Sequence, residues 1–210
     1  MKARPRGDAV ARTAAAYAAH AESFLRRWGR RAYRRPPLLR DLLALVRPRA
    51  ALLDLGSGAG QDARALRARR YRVVGLDRAQ PLLAHARRRS RRLPLALGDM
   101  RSLPFRPASF DAIWAAASLI HLPKPDARRL LRTLRRFVLP GGLLAATVAQ
   151  GRRAGFLRAG WIPGRYFARW QKAELERAVR QAGWTVVRLD AVVGRERKGR
   201  WLNLIARRTR

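Results

Sequence analysis

Cysteine is absent from the 210 residues, which excludes disulfides, thiolate metal sites and a cysteine nucleophile. Imidazole is nearly as scarce, with only His20, His85 and His121, so no metal centre is expected. Acidic residues number 13 against 48 basic ones, a formal net charge of +35, and lysine supplies just four of the basic set. No apolar run approaches the roughly 18 residues of a membrane span. The basic N-terminus also lacks the apolar core of a signal peptide, so a cytoplasmic protein that contacts no membrane is expected.

A charge of this size attracts polyanions and makes the protein salt-sensitive, so RNA enters as a candidate partner. The arginines, 44 in all, nevertheless run through 26–35, 64–72, 87–92, 128–136 and 195–210, among other positions, without forming one patch. A chain rich in Ala, Arg, Leu and Pro and poor in Lys is also what GC-rich coding produces. A functional basic surface and compositional drift therefore both stand as explanations.

The length suits one folded unit. Residues 1–8 read as a basic tail, and Tyr17, Ala21, Phe24, Leu25 and Trp28 form an apolar stripe at helical spacing. Arg34-Arg35-Pro36-Pro37 breaks that helix, 38–46 resumes one, and Pro48 ends it. These first 47 residues are predicted to cap a domain over 48–210 and to fold with it as a single unit. From Ala50 onward strands near 50–55, 71–77, 93–98, 110–117 and 142–149 alternate with helices near 61–69, 79–91 and 126–138, which implies a parallel sheet. The stretch 150–165 is broken by glycine and proline. A helix over 172–182 and a hairpin of 184–193 with 200–207 complete the chain.

The strand Leu52-Leu53-Asp54-Leu55 empties into Gly56-Ser57-Gly58-Ala59-Gly60, a loop whose bare backbone lets a ligand approach closely. The next strand ends in Asp77, a carboxylate suited to accept both hydroxyls of a ribose, which points to a nucleoside site. A dinucleotide fingerprint needs its third glycine at position 61, where this chain has Gln61, so a nicotinamide cofactor is disfavoured. An exposed Asp77 paired with Arg78 is the bland alternative.

With Gly98-Asp99-Met100, Phe110-Asp111-Ala112-Ile113-Trp114 and Leu139-Pro140-Gly141-Gly142-Leu143 added, the series resembles the class I S-adenosylmethionine-dependent methyltransferases across nearly the whole chain. The run from Phe110 to Pro123, with Thr13-Ala14-Ala15-Ala16-Tyr17, Gly164-Arg165-Tyr166-Phe167 and Trp201-Leu202-Asn203, resembles a small bacterial subgroup of the methyltransferase type 11 domain family. The resemblance implies an α/β fold, a Rossmann-like three-layer sandwich. Its seven-stranded, mostly parallel sheet has the order 3-2-1-4-5-7-6, the last strand antiparallel, beneath an N-terminal helical cap. It implies S-adenosylmethionine as cofactor and S-adenosylhomocysteine as product. Asp54, Gly56, Ser57, Gly58 and Gly60 are then expected at the methionine and ribose, with Asp77 and Arg78 at the ribose. Asp99 and Met100 are expected at the adenine, and Ala115 beside the transferred methyl.

Displacement at a sulfonium methyl needs alignment and water exclusion more than a catalytic triad. Where the acceptor carries a proton, His121 is the candidate base, since imidazole ordinarily titrates near neutrality. Tyr17 and Tyr166 are candidates to orient the acceptor, a free phenol titrating around pH 10. Each has a purely structural alternative. Arg152, Arg153, Arg165 and Arg169 flank the expected mouth, where they could clamp a carboxylate, a phosphate or an RNA backbone. A small-molecule acceptor is the leading expectation, because the N-terminal helix and 150–169 read as a lid. RNA methylation is the alternative, as is a non-catalytic protein that responds to the cofactor or binds nucleic acid. Monomer and homodimer are not distinguished.

Overall fold

A computed structural model describes residues 8–29, 35–194 and 199–209. The expected basic tail, Asp8 excepted, and the hairpin turn at 195–198 lie outside the described residues. Helix α1 (Ala9–Ala19) begins at Asp8, whose carboxylate accepts the Val10 and Ala11 N–H groups at 3.0 and 3.3 Å. The apolar stripe does not stay on one straight helix. The chain breaks at His20 (φ −112°) and continues as α2 (Ala21–Phe24) and a π-helical turn, Leu25–Gly29. Helix α3 (Pro37–Leu45) has its proline in the first turn, where no N–H is missed, and buries Leu38, Leu39 and Leu42.

Five parallel strands follow: β1 (Ala51–Leu55), β2 (Arg72–Asp77), β3 (Leu95–Leu97), β4 (Phe110–Ala116) and β5 (Val138–Gln150). Helices α4 (Gln61–Ala68), α5 (Gln80–Arg89) and α6 (Lys124–Leu134) connect them. Residues on each strand alternate between two cores. Leu52, Ala112, Trp114, Leu143 and Ala145 face α3 and α4, whereas Leu53, Ile113, Ala115, Leu144 and Ala146 face α6 and α7 (Lys172–Gln181). A sheet buried on both faces is what produces the three layers.

The sheet order is β3-β2-β1-β4-β5, with β9 (Arg200–Arg208) antiparallel on the far edge of β5 and β8 (Trp184–Val193) antiparallel on β9. These seven strands give the expected order and an antiparallel strand beside β5. The total is nine, not seven, because β6 (Ala154–Phe156) and β7 (Tyr166–Trp170) form a small hairpin in the stretch expected to be irregular. The cause is the length of β5. It outruns β4, which ends opposite Thr147, and the freed edge at Ala149 and Gln150 is taken up by Arg169 and Trp170 of β7. The segment expected to be a loop is thereby anchored to the sheet.

One ionic cluster fastens the cap. Arg101 makes two hydrogen bonds to Asp8, at 2.9 and 2.6 Å, and also bonds Asp99, which in turn accepts from Arg78. The hydrogen bonds from Arg101 hold the Asp8 carboxyl below its ordinary value. Asp8→Ala removes a helix cap worth about 1 kcal/mol and a half-exposed ion pair worth up to about 1 kcal/mol. A melting temperature lower by about 2–4 °C per kcal/mol is expected, with faster proteolysis within 9–29. A depressed carboxyl stabilises above its unfolded value, so the difference from wild type should shrink as pH falls below about 4.

Candidate active site

The strand order reverses about β1, and at the C-terminal ends of β1 and β4 a crevice opens. Gly56, Gly58 and Gly60 of the connecting loop have φ of +78°, +54° and +70°, which only glycine adopts without strain. Space is as restrictive as conformation. A Cβ at position 56 would lie 2.5 Å from the Ser118 Cβ, and one at position 58 would lie 3.1 Å from the Phe24 ring. The Gly56 and Ser57 N–H groups bond the Leu76 carbonyl at 2.8 and 3.0 Å, tying the loop to β2.

Above this loop lies a cavity of about 410 Å³, within the roughly 300–1,000 Å³ of small-molecule sites. Gly56, Gly58, Asp77, Arg78 and Met100 line it; Asp54, Ser57, Gly60, Asp99 and Ala115 do not. At the end of β4 it is Ala116, Ala117 and Ser118 that face the space. Asp77 accepts the Gly58 N–H through Oδ2 and the Ala79 N–H through Oδ1, each at 2.8 Å. It does not pair with Arg78, whose partner is Asp99. The Asp99 carboxylate, expected at the adenine, is taken up by Arg78 and Arg101, leaving Gly98 and Met100 as that segment's lining.

Asp54 is fully enclosed and its Oδ2 has no partner. Burial raises its pKa well above the usual carboxyl range, and the nearby charges of Asp62 and Asp77 push the same way. Asp62 itself accepts the Trp114 indole N–H at 2.7 Å. The residues present fit S-adenosylmethionine. A floor without side chains meets the Asp77 carboxyl, with Asp54 and Asp62 clustered near it, an acidic neighbourhood suited to a ligand carrying an ammonium and a sulfonium.

The three candidates for acceptor chemistry converge, though not all through their side chains. His121, in a 3-10 turn after β4, donates Nδ1–H to the Tyr166 carbonyl at 2.7 Å. A carbonyl can only accept, so Nδ1 carries the proton and Nε2 accepts the Tyr17 hydroxyl at 3.0 Å. Tyr166 also donates its N–H to Thr13 Oγ1 at 2.9 Å. Its ring packs edge-on against Phe156 and does not line the cavity, so Tyr166 serves through its main chain.

The far wall was missed from sequence. Phe24, Trp28, Trp161, Phe167 and Trp201 line the space together with Arg27, Arg165 and Arg169, whereas Arg152 and Arg153 do not reach it. The Phe24–Trp28 spacing was visible as a helical stripe, and Arg165 and Arg169 as residues of the mouth. Their union into one surface depends on the β6–β7 hairpin. Among the described residues, no group of three or more acidic or histidine side chains is placed to hold a metal ion, and no helix is long and apolar enough to cross a membrane.

Asp54→Asn removes an enclosed carboxyl whose ionisation is opposed by burial and by the neighbouring acids, so the variant should melt at least about 2–4 °C higher near neutral pH. A raised carboxyl holds a proton in the folded state that the unfolded chain releases above about pH 4. Wild-type stability therefore falls as pH rises through that window, and the two melting curves should converge at lower pH. S-adenosylhomocysteine should bind the variant more weakly in calorimetry.

Comparison with known proteins agrees with this architecture. The methyltransferase domain family model matches residues 53–146. A malonyl-[acyl-carrier protein] O-methyltransferase of Erwinia pyrifoliae is 36% identical over 146 residues, covering 68% of this chain and 51% of the relative. The chain spans between 30% and 51% of the length of the first curated relatives it matches. Among solved structures, the 1,6-didemethyltoxoflavin-N1-methyltransferase of Burkholderia thailandensis superposes with a TM-score of 0.74 at 21% identity, covering all of this chain and 94% of that one. The magnesium protoporphyrin IX methyltransferase of Synechocystis gives 0.75 at 15% identity, over 99% and 100% of the two chains. Residues 53–146 thus match the methyltransferase domain family, and the fold of the whole chain is that of S-adenosylmethionine-dependent methyltransferases.

Proposed function

We propose that the protein is an enzyme that transfers a methyl group from S-adenosylmethionine to an oxygen or nitrogen of a small molecule. The observation that carries this reading is the position of His121. Its Nδ1 is turned to the Tyr166 carbonyl, which leaves Nε2 as the ring nitrogen able to accept, and the residue lines the same cavity as the glycine loop and Asp77. The relatives named above, an O-methyltransferase and an N1-methyltransferase, are compatible with either acceptor atom.

In this reading Asp77 accepts the ribose hydroxyls with the lone pairs its two backbone bonds leave over. Asp54 balances the ammonium, and Gly98 and Met100 flank the adenine. When bound, the cofactor supplies an electrophilic methyl on a sulfonium sulfur. The chain's part is to align the acceptor in line with it and to exclude water. Main-chain carbonyls near Gly56 and Ala115 contribute weak contacts to the methyl hydrogens. Tyr17 orients the acceptor, and His121 Nε2 takes the acceptor's proton and passes it to water. The cap closes over this space through Tyr17, Phe24 and Trp28, which favours a compact acceptor over an RNA strand.

Incubation with methyl-tritiated S-adenosylmethionine and a whole-cell extract tests the reading by the fraction that takes up label. Small-molecule label is expected. Nuclease-sensitive label would make RNA the substrate and give the arginine excess a function, and binding of the cofactor without any labelled product would favour a non-catalytic protein. His121→Gln should lower kcat by about 10²-fold or more while leaving S-adenosylhomocysteine affinity within about twofold. Asp77→Ala should do the reverse first, weakening S-adenosylhomocysteine binding by several-fold or more in calorimetry.

A further inference from the structure

Arg165 is the only lysine or arginine that is buried among the described residues, at 7% exposure, and it lines the cavity. A guanidinium carries five N–H donors. One is used, Nη1 to the Ile162 carbonyl at 3.2 Å, and Nε is buried without a partner. No carboxylate of the described residues pairs with it. Burial lowers its pKa, and the Arg27 charge adds to that effect.

Its neighbours are flat. The guanidinium carbon lies 4.7 Å from the centre of the Trp161 ring and 5.9 Å from that of Phe167. Arg169 stands 5.0 Å over Phe167 and Arg27 5.5 Å over Trp161, so cations and aromatic rings alternate along this wall. Phe167 also meets His121 edge-on, with ring centres 6.2 Å apart. A cation this enclosed, near further cations and held by ring faces and one carbonyl, is stable where an anion arrives to complete it. The rings beside it offer stacking surface to a planar ligand.

We infer that the methyl acceptor is a planar aromatic anion, an aryl carboxylate or aryl phosphate. Arg165 holds the anionic group, Arg169 supports it from the rim, and the Trp161 and Phe167 faces carry the ring so that its hydroxyl or amine reaches His121. This rests on the methyltransferase reading above. The bond that forms joins the methyl carbon to that oxygen or nitrogen, the carbon–sulfur bond breaks, and the acceptor's proton leaves through His121. The aryl anion keeps its charge throughout, so Arg165 binds substrate and product alike and determines specificity without taking part in the displacement.

Calorimetry on the protein saturated with S-adenosylhomocysteine tests this with four probes: 4-hydroxybenzoate, phenyl phosphate, the neutral 4-hydroxybenzamide, and cyclohexanecarboxylate. At least one aryl anion should bind about tenfold or more tighter than both the amide and the non-aromatic acid, and the tighter of the two identifies the anionic group. Arg165→Gln should abolish that preference while S-adenosylhomocysteine affinity stays within about twofold. Arg169→Gln, on an exposed side chain that the fold does not need, should reduce the preference in the same direction. Equal binding of acid and amide, no binding of any probe, or full preference in both variants would overturn the proposal. Loss of S-adenosylhomocysteine affinity in Arg165→Gln would also overturn it, by assigning Arg165 to the cofactor. A wild-type protein that binds no S-adenosylhomocysteine would instead defeat the methyltransferase reading, and the aryl-anion preference would then be decided by the same titrations without it.

Discussion

The site depends on the hydrogen-bond chain from the Tyr17 hydroxyl through His121 to the Tyr166 carbonyl. It joins three segments that share no regular pairing: the cap helix, the turn after β4, and the start of β7. Thr13 closes the circuit by accepting the Tyr166 N–H. Both main-chain groups of Tyr166 are therefore bound by side chains from elsewhere, which is how an edge residue of a short strand satisfies a partly buried backbone. The same bonds set the histidine tautomer. Structural closure and chemical readiness are thus one constraint, since opening the cap would release Nε2 from Tyr17.

The carboxylates divide the labour on the opposite side of the cavity. Asp77 is neutralised by two backbone N–H groups and braces the glycine loop, while Asp54 is left with an unpartnered oxygen beside two further acids. A protein selected for stability alone would not enclose a carboxyl oxygen without a partner beside other acids, because desolvation and like charge both oppose its ionisation. The arrangement is intelligible as preorganisation for a cationic ligand, with the cost borne by the unliganded protein.

What was legible in sequence was local. The glycines at 56, 58 and 60, the strand-end acids Asp54 and Asp77, and the strand–helix alternation each follow from residues within a few positions of one another, and the sheet order came with the family resemblance those motifs carry. What was not legible was assembled at long range. The β6–β7 hairpin exists because β5 outruns β4, a difference in strand lengths that no local pattern records. Asp8 read as tail because its partner Arg101 lies 93 residues away, and that pairing is what occupies Asp99. Tyr166 drew attention for its phenol, whereas its contribution comes from the peptide groups that every residue carries.

The arginine excess looks different at the surface and in the core. Thirteen acids cannot pair 48 basic residues, and an exposed arginine without a partner is solvated at little cost, so compositional drift suffices to explain most of them. Drift does not explain Arg165. An enclosed guanidinium with unmet donors is penalised by desolvation, and an apolar residue of similar size would pack the same wall without that penalty. Other cations nearby add to the penalty. The informative cation in a chain saturated with arginine is therefore the buried one, and the Phe167 ring that it shares with His121 ties the charge to the acceptor side of the cavity.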